Sequence, residues 1–327
     1  MISRYDYVLP KELIAQRPLK KRSDSRLMVV GSRIQHRHFR DIINYLRRGD
    51  VLVINESKVI PAKLLGTKAT GGKIAAILTK RVGTDYEAII KGKVHANEIL
   101  GFRNFSARVI SKNAGLAVLR FSPRLTDAAL NRIGRMPIPP YVKAPLCKPS
   151  CYQTVYATKK GSVAAHTAGL HFTPSLLRAI ERKGVKLARV CLHISFATFF
   201  PIRGSLKDHK MYPECCSIGR KDAIIINSRK ARLFAVGTTT VKTLESLADS
   251  KGNVVAGSRC SDLFIYPGYK FKTRIDAMIT NFHLPKSALL LLVCAYYGRA
   301  RIFIAYAEAI KRKYRFYSFG DAMLLIK

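Results

Sequence analysis

Two histidines lie in a stretch of small, uncharged residues at positions 161–172, with the sequence GSVAAHTAGLHF. His166 and His171 are of the residue type that exchanges protons near neutral pH, and Thr167 adds a hydroxyl group. Gly169 and its small neighbours would let a ligand approach the backbone closely. We therefore expect this stretch to form the centre of an active site.

A second polar segment, AVGTTTVK at positions 235–242, begins as a strand and continues as a helix. The helix start would offer free N–H groups and the hydroxyls of Thr238 and Thr239, which can hold an anion or a polar ligand. Ordinary capping of the helix explains the same residues equally well. The segment alone does not decide between the two interpretations.

Two further segments carry histidines. NFHLPKS at positions 281–287 contains Asn281 and His283 before a predicted helix, and the pair could face a pocket or belong to a capped helix with a partly buried histidine. HKMYPE at positions 209–214 follows Asp208. His209 could therefore be a general base oriented by a nearby acidic side chain, or it could be part of a solvated loop.

The charge of the chain is extreme. Its 58 Lys and Arg against 20 Asp and Glu give a net charge of +38. Such a positive net charge favours a polyanionic partner, namely RNA, DNA or an anionic membrane. Compositional drift towards lysine is the alternative explanation of the charge.

The longest apolar run, at positions 288–297, is about half of the ~20 residues that a membrane span needs. We expect a cytoplasmic protein without a membrane segment.

The seven cysteines are odd in number and contain no CxxC motif. This predicts buried free thiols in a reducing compartment. Cys147 and Cys151 with His166 lack an evident fourth ligand, so we predict no metal site.

The pattern of elements predicts an α/β fold with an insertion. Apolar runs at 26–30, 51–55, 185–194, 233–236 and 263–266 predict strands, and helical spacing is found at 39–48, 176–183, 223–230, 239–248, 285–297 and 304–313. Short β-prone runs separated by glycines follow residue 62, which indicates a small antiparallel barrel or sandwich. We therefore predict a discontinuous α/β domain at 1–61 and 151–327, with an inserted β domain at 62–150.

Two nucleotide-binding motifs are missing. GTKATGGK at positions 66–73 has the wrong spacing for a phosphate-binding P-loop, and Ile74 follows it in place of Ser or Thr. The sequence also lacks GxGxxG after a strand, which counts against a dinucleotide-binding or Rossmann methyltransferase fold.

Taken together, the segments resemble one family along nearly the whole chain. PKELIAQRP, GDVLVIN, MPIPPY, YQTVYA, TAGLHF, AVGTTTVKTLES, NFHLPKS and YRFYSFGDAM follow each other in the order found in S-adenosylmethionine:tRNA ribosyltransferase-isomerases of the queuosine pathway. The resemblance implies a barrel-like α/β domain with an inserted β-barrel. It also implies transfer and isomerisation of the ribosyl group of S-adenosylmethionine onto an aminomethyl-deazaguanine wobble base, which gives epoxyqueuosine, adenine and methionine.

The resemblance also implies partners and site residues. S-adenosylmethionine would be a substrate and no separate cofactor would be needed, while the macromolecular partner would be the anticodon arm of the tRNA, bound by a monomer. Proton transfers would fall to histidines in family-like segments: His171, His193, His209 and His283. Contacts to the substrates would come from Thr167, Gly169, Thr198, Phe199, Glu214, Thr238, Thr239, Asn281, Gly320 and Asp321.

The chain departs from the family at several positions. Ser195 and Ala197 replace two glycines, Tyr212 replaces a histidine, and His166 stands where the family has proline. A catalytically weakened relic that still binds tRNA is therefore one alternative, and an S-adenosylmethionine-dependent RNA methyltransferase is another. Since His166 is a substitution, His171 is the stronger catalytic candidate of the two.

Overall fold

A computed structural model describes residues 1–113, 115–146, 148–195, 202, 204–206, 208–209 and 211–327. The chain divides into two compact units. The first contains residues 1–58, 139–160 and 165–327, and the second contains residues 59–138 and 161–164. The predicted insertion ends earlier than residue 150, because residues 139–150 belong to the first unit. There, the backbone N–H of Lys143 donates to Gln16 and the Tyr141 hydroxyl bonds to Ser318.

The described residues form seventeen strands. In chain order they are β1 (Arg26–Val30), β2 (Ile34–His38), β3 (Val51–Asn55), β4 (Ser57–Val59), β5 (Lys63–Lys68), β6 (Lys73–Val82), β7 (Asp85–Lys91), β8 (Ile99–Phe102), β9 (Phe105–Asn113), β10 (Leu116–Ser122), β11 (Lys159–Ser162), β12 (Lys186–Leu192), β13 (Glu214–Ile218), β14 (Leu233–Val236), β15 (Gly257–Ser261), β16 (Ala277–Asn281) and β17 (Ala322–Ile326). The short strands β4 and β11 pair with each other.

A nine-stranded sheet is the frame of the first unit, in the order β15-β13-β12-β3-β14-β16-β17-β1-β2. Its four central strands, which are β12, β3, β14 and β16, run parallel to one another, and β17 runs antiparallel to β16. Strand β1 is parallel to β17. The carboxyl ends of the four central strands and the amino ends of β1 and β17 therefore meet at one edge of the sheet.

Helices cover both faces of this sheet. They are α2 (Pro174–Arg182), α3 (Arg220–Asn227), α4 (Thr238–Ser246), α5 (Ala288–Tyr297) and α6 (Arg299–Lys311), while α1 (Asp127–Ile133) belongs to the second unit. Alternate strand residues face opposite layers. Leu52, Phe234 and Ile279 pack with the 3-10 turn Phe39–Tyr45 and with α2. Val53, Ala235 and Met278 pack in the core that contains residues of α3, α4, α5 and α6.

The second unit contains a closed six-stranded barrel in the order β10-β7-β6-β5-β8-β9. All of its pairs are antiparallel, and buried residues alternate along β6, β9 and β10. The α/β class with an inserted antiparallel β-barrel is thus confirmed.

Several element boundaries differ from the prediction. The strand expected at 263–266 is wrong, because these apolar residues pack against the core as loop and the strand is β15, just before them. The helix expected from Pro285 begins at Ala288, since the Ser287 hydroxyl caps it by accepting from the N–H of Leu290. The helix expected at 39–48 is a 3-10 turn that ends at Tyr45.

The free-thiol prediction is wrong for two cysteines. Cys215 on β13 and Cys260 on β15 lie opposite each other and form a disulfide. Their 45-residue separation in the sequence gives no signal of this pairing. Of the other described cysteines, Cys191, Cys216 and Cys294 are buried free thiols.

In the described part of the chain, no single helix combines the length and apolarity of a membrane span. Helices α5 and α6 meet that criterion only when taken together, and they are bent by 117° at the break between them.

Candidate active site

One edge of the large sheet collects most of the predicted site residues. His193 follows β12, Thr238 and Thr239 follow β14, and Asn281 ends β16. Asp321 directly precedes β17, which runs in the opposite direction. The carboxyl ends of parallel strands are where open α/β sheets bind ligands. The segment around His171, a 3-10 turn over Thr167–His171, completes this edge.

His171 is held by two hydrogen bonds inside the protein. Its Nδ1 lies 2.8 Å from the Oγ of Ser25, and its Nε2 lies 3.3 Å from the Nδ2 of Asn281. The ring stacks on Phe39 with 4.9 Å between centroids. Only 4% of the residue is exposed.

The surrounding groups fix the tautomer of this imidazole. The amide nitrogen of Asn281 must face the carbonyl oxygen of Tyr317, 3.1 Å away, because only an N–H can donate to it. The same amide nitrogen therefore donates to Nε2 of His171. The Ser25 hydroxyl donates to the carbonyl of Arg22, so it accepts from Nδ1–H of His171. His171 is thus neutral, with its lone pair on Nε2.

Burial is the main cause that lowers the pKa of His171 to about 4. The positive charges of Arg315 and Arg22 lower the pKa further. An imidazole in this position is a neutral acceptor at neutral pH, and its protonated form is disfavoured until a negative charge comes close.

A cleft opens beside His171. It is lined by Arg22, Ser25, His171, Arg315, Ser318 and Gly320, among others. Gly320 has no room for a side chain, since a Cβ there would lie 2.5 Å from the carbonyl oxygen of Arg315. The predicted ligand Asp321 is buried and binds Arg26 at 3.2 Å and the backbone N–H of Arg315 at 2.8 Å. Its carboxylate thus orients the turn that carries Arg315.

His166 is built into the start of α4. Its Nδ1 lies 2.8 Å from the hydroxyl of Thr239, and its Nε2 is buried without a hydrogen-bond partner among the described residues. Gly237, at φ +85°, takes a conformation that favours glycine and leads into the helix without a side-chain cap. Burial lowers the pKa of His166 to about 3, so this imidazole is neutral as well.

Gly169 is required by packing. A Cβ at this position would lie 2.0 Å from the Tyr156 hydroxyl oxygen and 2.8 Å from Cγ2 of Thr154. The hydroxyls of Thr154 and Tyr156 are themselves buried without a hydrogen-bond partner in the described part of the chain, as is Oδ1 of Asn281. Buried polar atoms in this state are rare in folded proteins, and a bound ligand can supply the missing partners.

His193 belongs to a separate group at the same edge. Its Nδ1 lies 2.7 Å from the Ser57 hydroxyl, and its Nε2 lies 3.7 Å from the Cys191 sulfur. Burial is the larger cause that lowers the pKa of His193, and the charge of Lys159 adds to it. Lys159 itself forms an ion pair with Glu56 at 3.0 Å.

Glu214 is buried and paired. Its Oε2 lies 2.6 Å from Nζ of Lys242 on α4, and its Oε1 accepts from the backbone N–H of Ser195 at 3.0 Å. Both charged side chains are less than a tenth exposed. Removal of either one would leave the other as an uncompensated buried charge, which is strongly destabilising.

The remaining predicted residues lie apart from this cluster. His283 is buried and bonds through Nε2 to Thr280, whose side chain lies on the opposite face of β16 from that of Asn281. His209 contacts the ring of Phe264. The structure therefore does not bring the four predicted histidines into contact with one another. Thr198 and Phe199 lie outside the described residues, and Thr167 is half-buried at the start of its turn.

Several groups at this edge were not predicted from the sequence. They are Arg22, Ser25, Glu56, Ser57, Lys159, Lys242 and Arg315. A signal existed for Ser57, because it follows the apolar run of β3 just as His193 follows β12. Within the described residues, no group of three His, Cys, Asp or Glu side chains is placed to hold a metal ion.

Comparison with known proteins gives the same family along the whole chain. Residues 2–325 match the family model described as queuosine biosynthesis protein. A protein of Moorella thermoacetica named S-adenosylmethionine:tRNA ribosyltransferase-isomerase is 46% identical over 341 residues, which is 99% of either chain. One of the same name from Staphylococcus haemolyticus is 44% identical, again over 99% of either chain.

A solved structure is similar as well. It is that of S-adenosylmethionine tRNA ribosyltransferase from Thermotoga maritima, 36% identical to this chain. The match has a TM-score of 0.57 and covers 99% of this chain and 100% of the other.

Proposed function

The chain belongs to the queuosine biosynthesis protein family, and from this premise we propose that it is an S-adenosylmethionine:tRNA ribosyltransferase-isomerase. It transfers the ribosyl group of S-adenosylmethionine to the aminomethyl group of a deazaguanine wobble base and isomerises it, giving epoxyqueuosine, adenine and methionine. The observation that carries this proposal is the 46% identity to a relative of that name across 99% of both chains.

The chemistry requires a base. The sulfonium of the donor acidifies the adjacent ribose C–H, and a group near that carbon must take the proton. We assign this step to Nε2 of His171, which carries the lone pair once Ser25 binds Nδ1–H. For the transfer, the amide of Asn281 must release Nε2, and its contact with the Tyr317 carbonyl keeps it nearby when it does so.

The donor is held by the polar groups that lack partners. Oδ1 of Asn281 is a buried acceptor suited to an amino group, and the hydroxyls of Thr154 and Tyr156 offer both donors and acceptors. Thr238 and Thr239 supply the N–H groups at the start of α4, where the helix dipole favours a carboxylate. S-adenosylmethionine acts as a substrate in this scheme and no separate cofactor is needed.

Glu214 and Lys242 act together in this proposal. The buried pair anchors β13 to the middle of α4, and the backbone N–H of Ser195 also donates to the same carboxylate. We assign Glu214 a positioning role at the donor site. His193, His209, Thr167 and Gly320 remain candidate contacts to the substrates.

The same proposal assigns the protein to the cytoplasm, where tRNA and S-adenosylmethionine are available, acting as a monomer without membrane attachment. The net charge of +38 suits the anticodon arm of a tRNA as its macromolecular partner.

The test is a single-turnover reaction with tRNA that carries the aminomethyl-deazaguanine base. Adenine release is followed by chromatography, and the modified nucleoside is identified by mass. The expected products are adenine and epoxyqueuosine. A mass gain of one methyl group would instead identify a methyltransferase, and salt-sensitive tRNA binding without any adenine release would identify a protein that has lost the activity.

A further inference from the structure

Two arginines beside His171 form no ion pair with a carboxylate among the described residues. The guanidinium of Arg22 donates to the backbone carbonyls of Gln153, at 2.6 Å, and Ser150. That of Arg315 donates to the carbonyl of Arg17, while its Nη1 is buried without a partner among the described residues. In that part of the chain, neither guanidinium lies within ion-pair distance of a carboxylate. Carbonyls orient these groups and carry no net negative charge, while the Asp321 carboxylate, which binds the backbone N–H of Arg315, offsets the charge of Arg315 only in part.

Both charges are partly withdrawn from water. Each residue is half-buried, and burial is the main cause that lowers the pKa of Arg22 and of Arg315. The two guanidiniums line the same cleft as His171, and both charges act on its imidazole. Fixed positive charge in a partly desolvated cleft is a favourable place for an oxyanion, which guanidinium groups bind through paired N–H donors.

We propose that Arg22 and Arg315 together bind a backbone phosphate of the RNA substrate beside His171. This inference rests on the proposed function, since it deepens the account of how that site holds tRNA. It names a binding site for one substrate and leaves the assignment of the base unchanged.

The charge balance favours phosphate over the carboxylate of the donor. S-adenosylmethionine carries a sulfonium and an ammonium against one carboxylate, so the molecule as a whole is a cation, and the two guanidiniums repel it. RNA is a polyanion. The arm that leads into the cleft, residues 17–26, contains five basic residues and one acidic residue, and Arg17, Lys20 and Lys21 are exposed there. Such a surface follows a phosphate backbone.

The first experiment compares the variants Arg22→Gln and Arg315→Gln, alone and combined, with the wild-type protein. The control is Arg178→Gln, which removes an exposed arginine of α2 that does not line the cleft. Affinity for an anticodon stem–loop RNA is measured over a range of salt concentrations. We expect the double variant to bind the RNA at least about tenfold more weakly than the wild type. Its salt slope, which is the slope of log K for RNA binding against the logarithm of the salt concentration, should be smaller in magnitude by about one, and the control should bind like the wild type.

The second measurement changes the RNA, so its result for the wild-type protein does not depend on a variant that has lost structural hydrogen bonds. Single phosphates near the wobble nucleotide are replaced by neutral methylphosphonates, and each RNA is tested against the wild type and the double variant. At the contacted position we expect the neutral RNA to weaken binding to the wild type but to have little further effect on the double variant. Arg22→Lys and Arg315→Lys, which keep the charge, should retain most of the salt slope.

Two results would overturn the phosphate site. One is an unchanged RNA affinity and salt slope in the double variant. The other is a raised KM for S-adenosylmethionine with unchanged RNA binding, which would make the pair a carboxylate site. Failure of the proposed function looks different, because the wild-type protein itself would then release no adenine from the donor.

Discussion

Mild acid should destabilise this protein through its buried histidines, and His171 allows the size of the effect to be worked out. Its pKa is lowered from 6.5 to about 4 by burial. Between these values the unfolded chain binds a proton that the folded chain does not, so the free energy of unfolding falls as the pH falls. The slope is half-maximal at pH 6.5 and approaches about 1.4 kcal/mol per pH unit below it, so the loss from pH 6.5 to about pH 5 is about 1.5 kcal/mol for this one residue.

The assay is urea unfolding at the two pH values, followed by circular dichroism because the chain contains no tryptophan. His171→Gln removes the titrating group, so its free energy of unfolding should fall by about 1.5 kcal/mol less than that of the wild type over this interval. The control is His95→Gln, an exposed position in the second unit, which should follow the wild type. If His171→Gln kept the full pH dependence, the imidazole would not be held neutral by its surroundings.

Two further predictions concern the segment around His171. His171→Ala should abolish adenine release. His166→Pro should leave adenine release intact or improve it, because the φ of −71° at position 166 suits proline. A loss of adenine release in His166→Pro would mean that His166, and not only His171, is needed for the reaction. Gly169→Ala should destabilise the fold by about 1–3 kcal/mol in thermal or urea unfolding, since its Cβ meets the Tyr156 hydroxyl, and Tyr156→Phe in the same chain should recover part of the loss. No recovery would mean that the backbone around Thr154 sets the limit.

The fold could be predicted where burial leaves a continuous signal. Strands β1, β3 and β14 were expected at their observed bounds because RLMVV, VLVIN and LFAV are buried strands of a mostly parallel sheet and read as unbroken apolar runs. Strand β15 has the sequence GSRCS and lies exposed at the edge of the sheet. Its pairing with β13 defines it, and no apolar pattern marks such a strand.

The site was predictable by residue type and less so by contact. His171 and Asn281 were both expected from the sequence, but their hydrogen bond joins positions 110 residues apart and depends on the end of β16 meeting the 3-10 turn. Ser25 fixes the tautomer of His171 and is a single serine without any distinguishing pattern. Arg22 and Arg315 could not be predicted as site residues, because nothing in the sequence distinguishes them from the other basic residues among its 58 Lys and Arg.

The charges of Arg22 and Arg315 contribute to the low pKa of His171. A base with a pKa of about 4 is a poor proton acceptor, and part of that weakness comes from the charges of Arg315 and Arg22. A phosphate bound between the arginines would cancel those charges and raise the pKa of His171. The imidazole would then take up the proton of the donor more readily when RNA is in place. We expect the pKa of His171, measured by ¹⁵N NMR titration, to rise when the anticodon stem–loop RNA is added. With Arg22→Gln and Arg315→Gln combined, that shift should disappear, and an equal shift in the double variant would show that the RNA acts on His171 by another route.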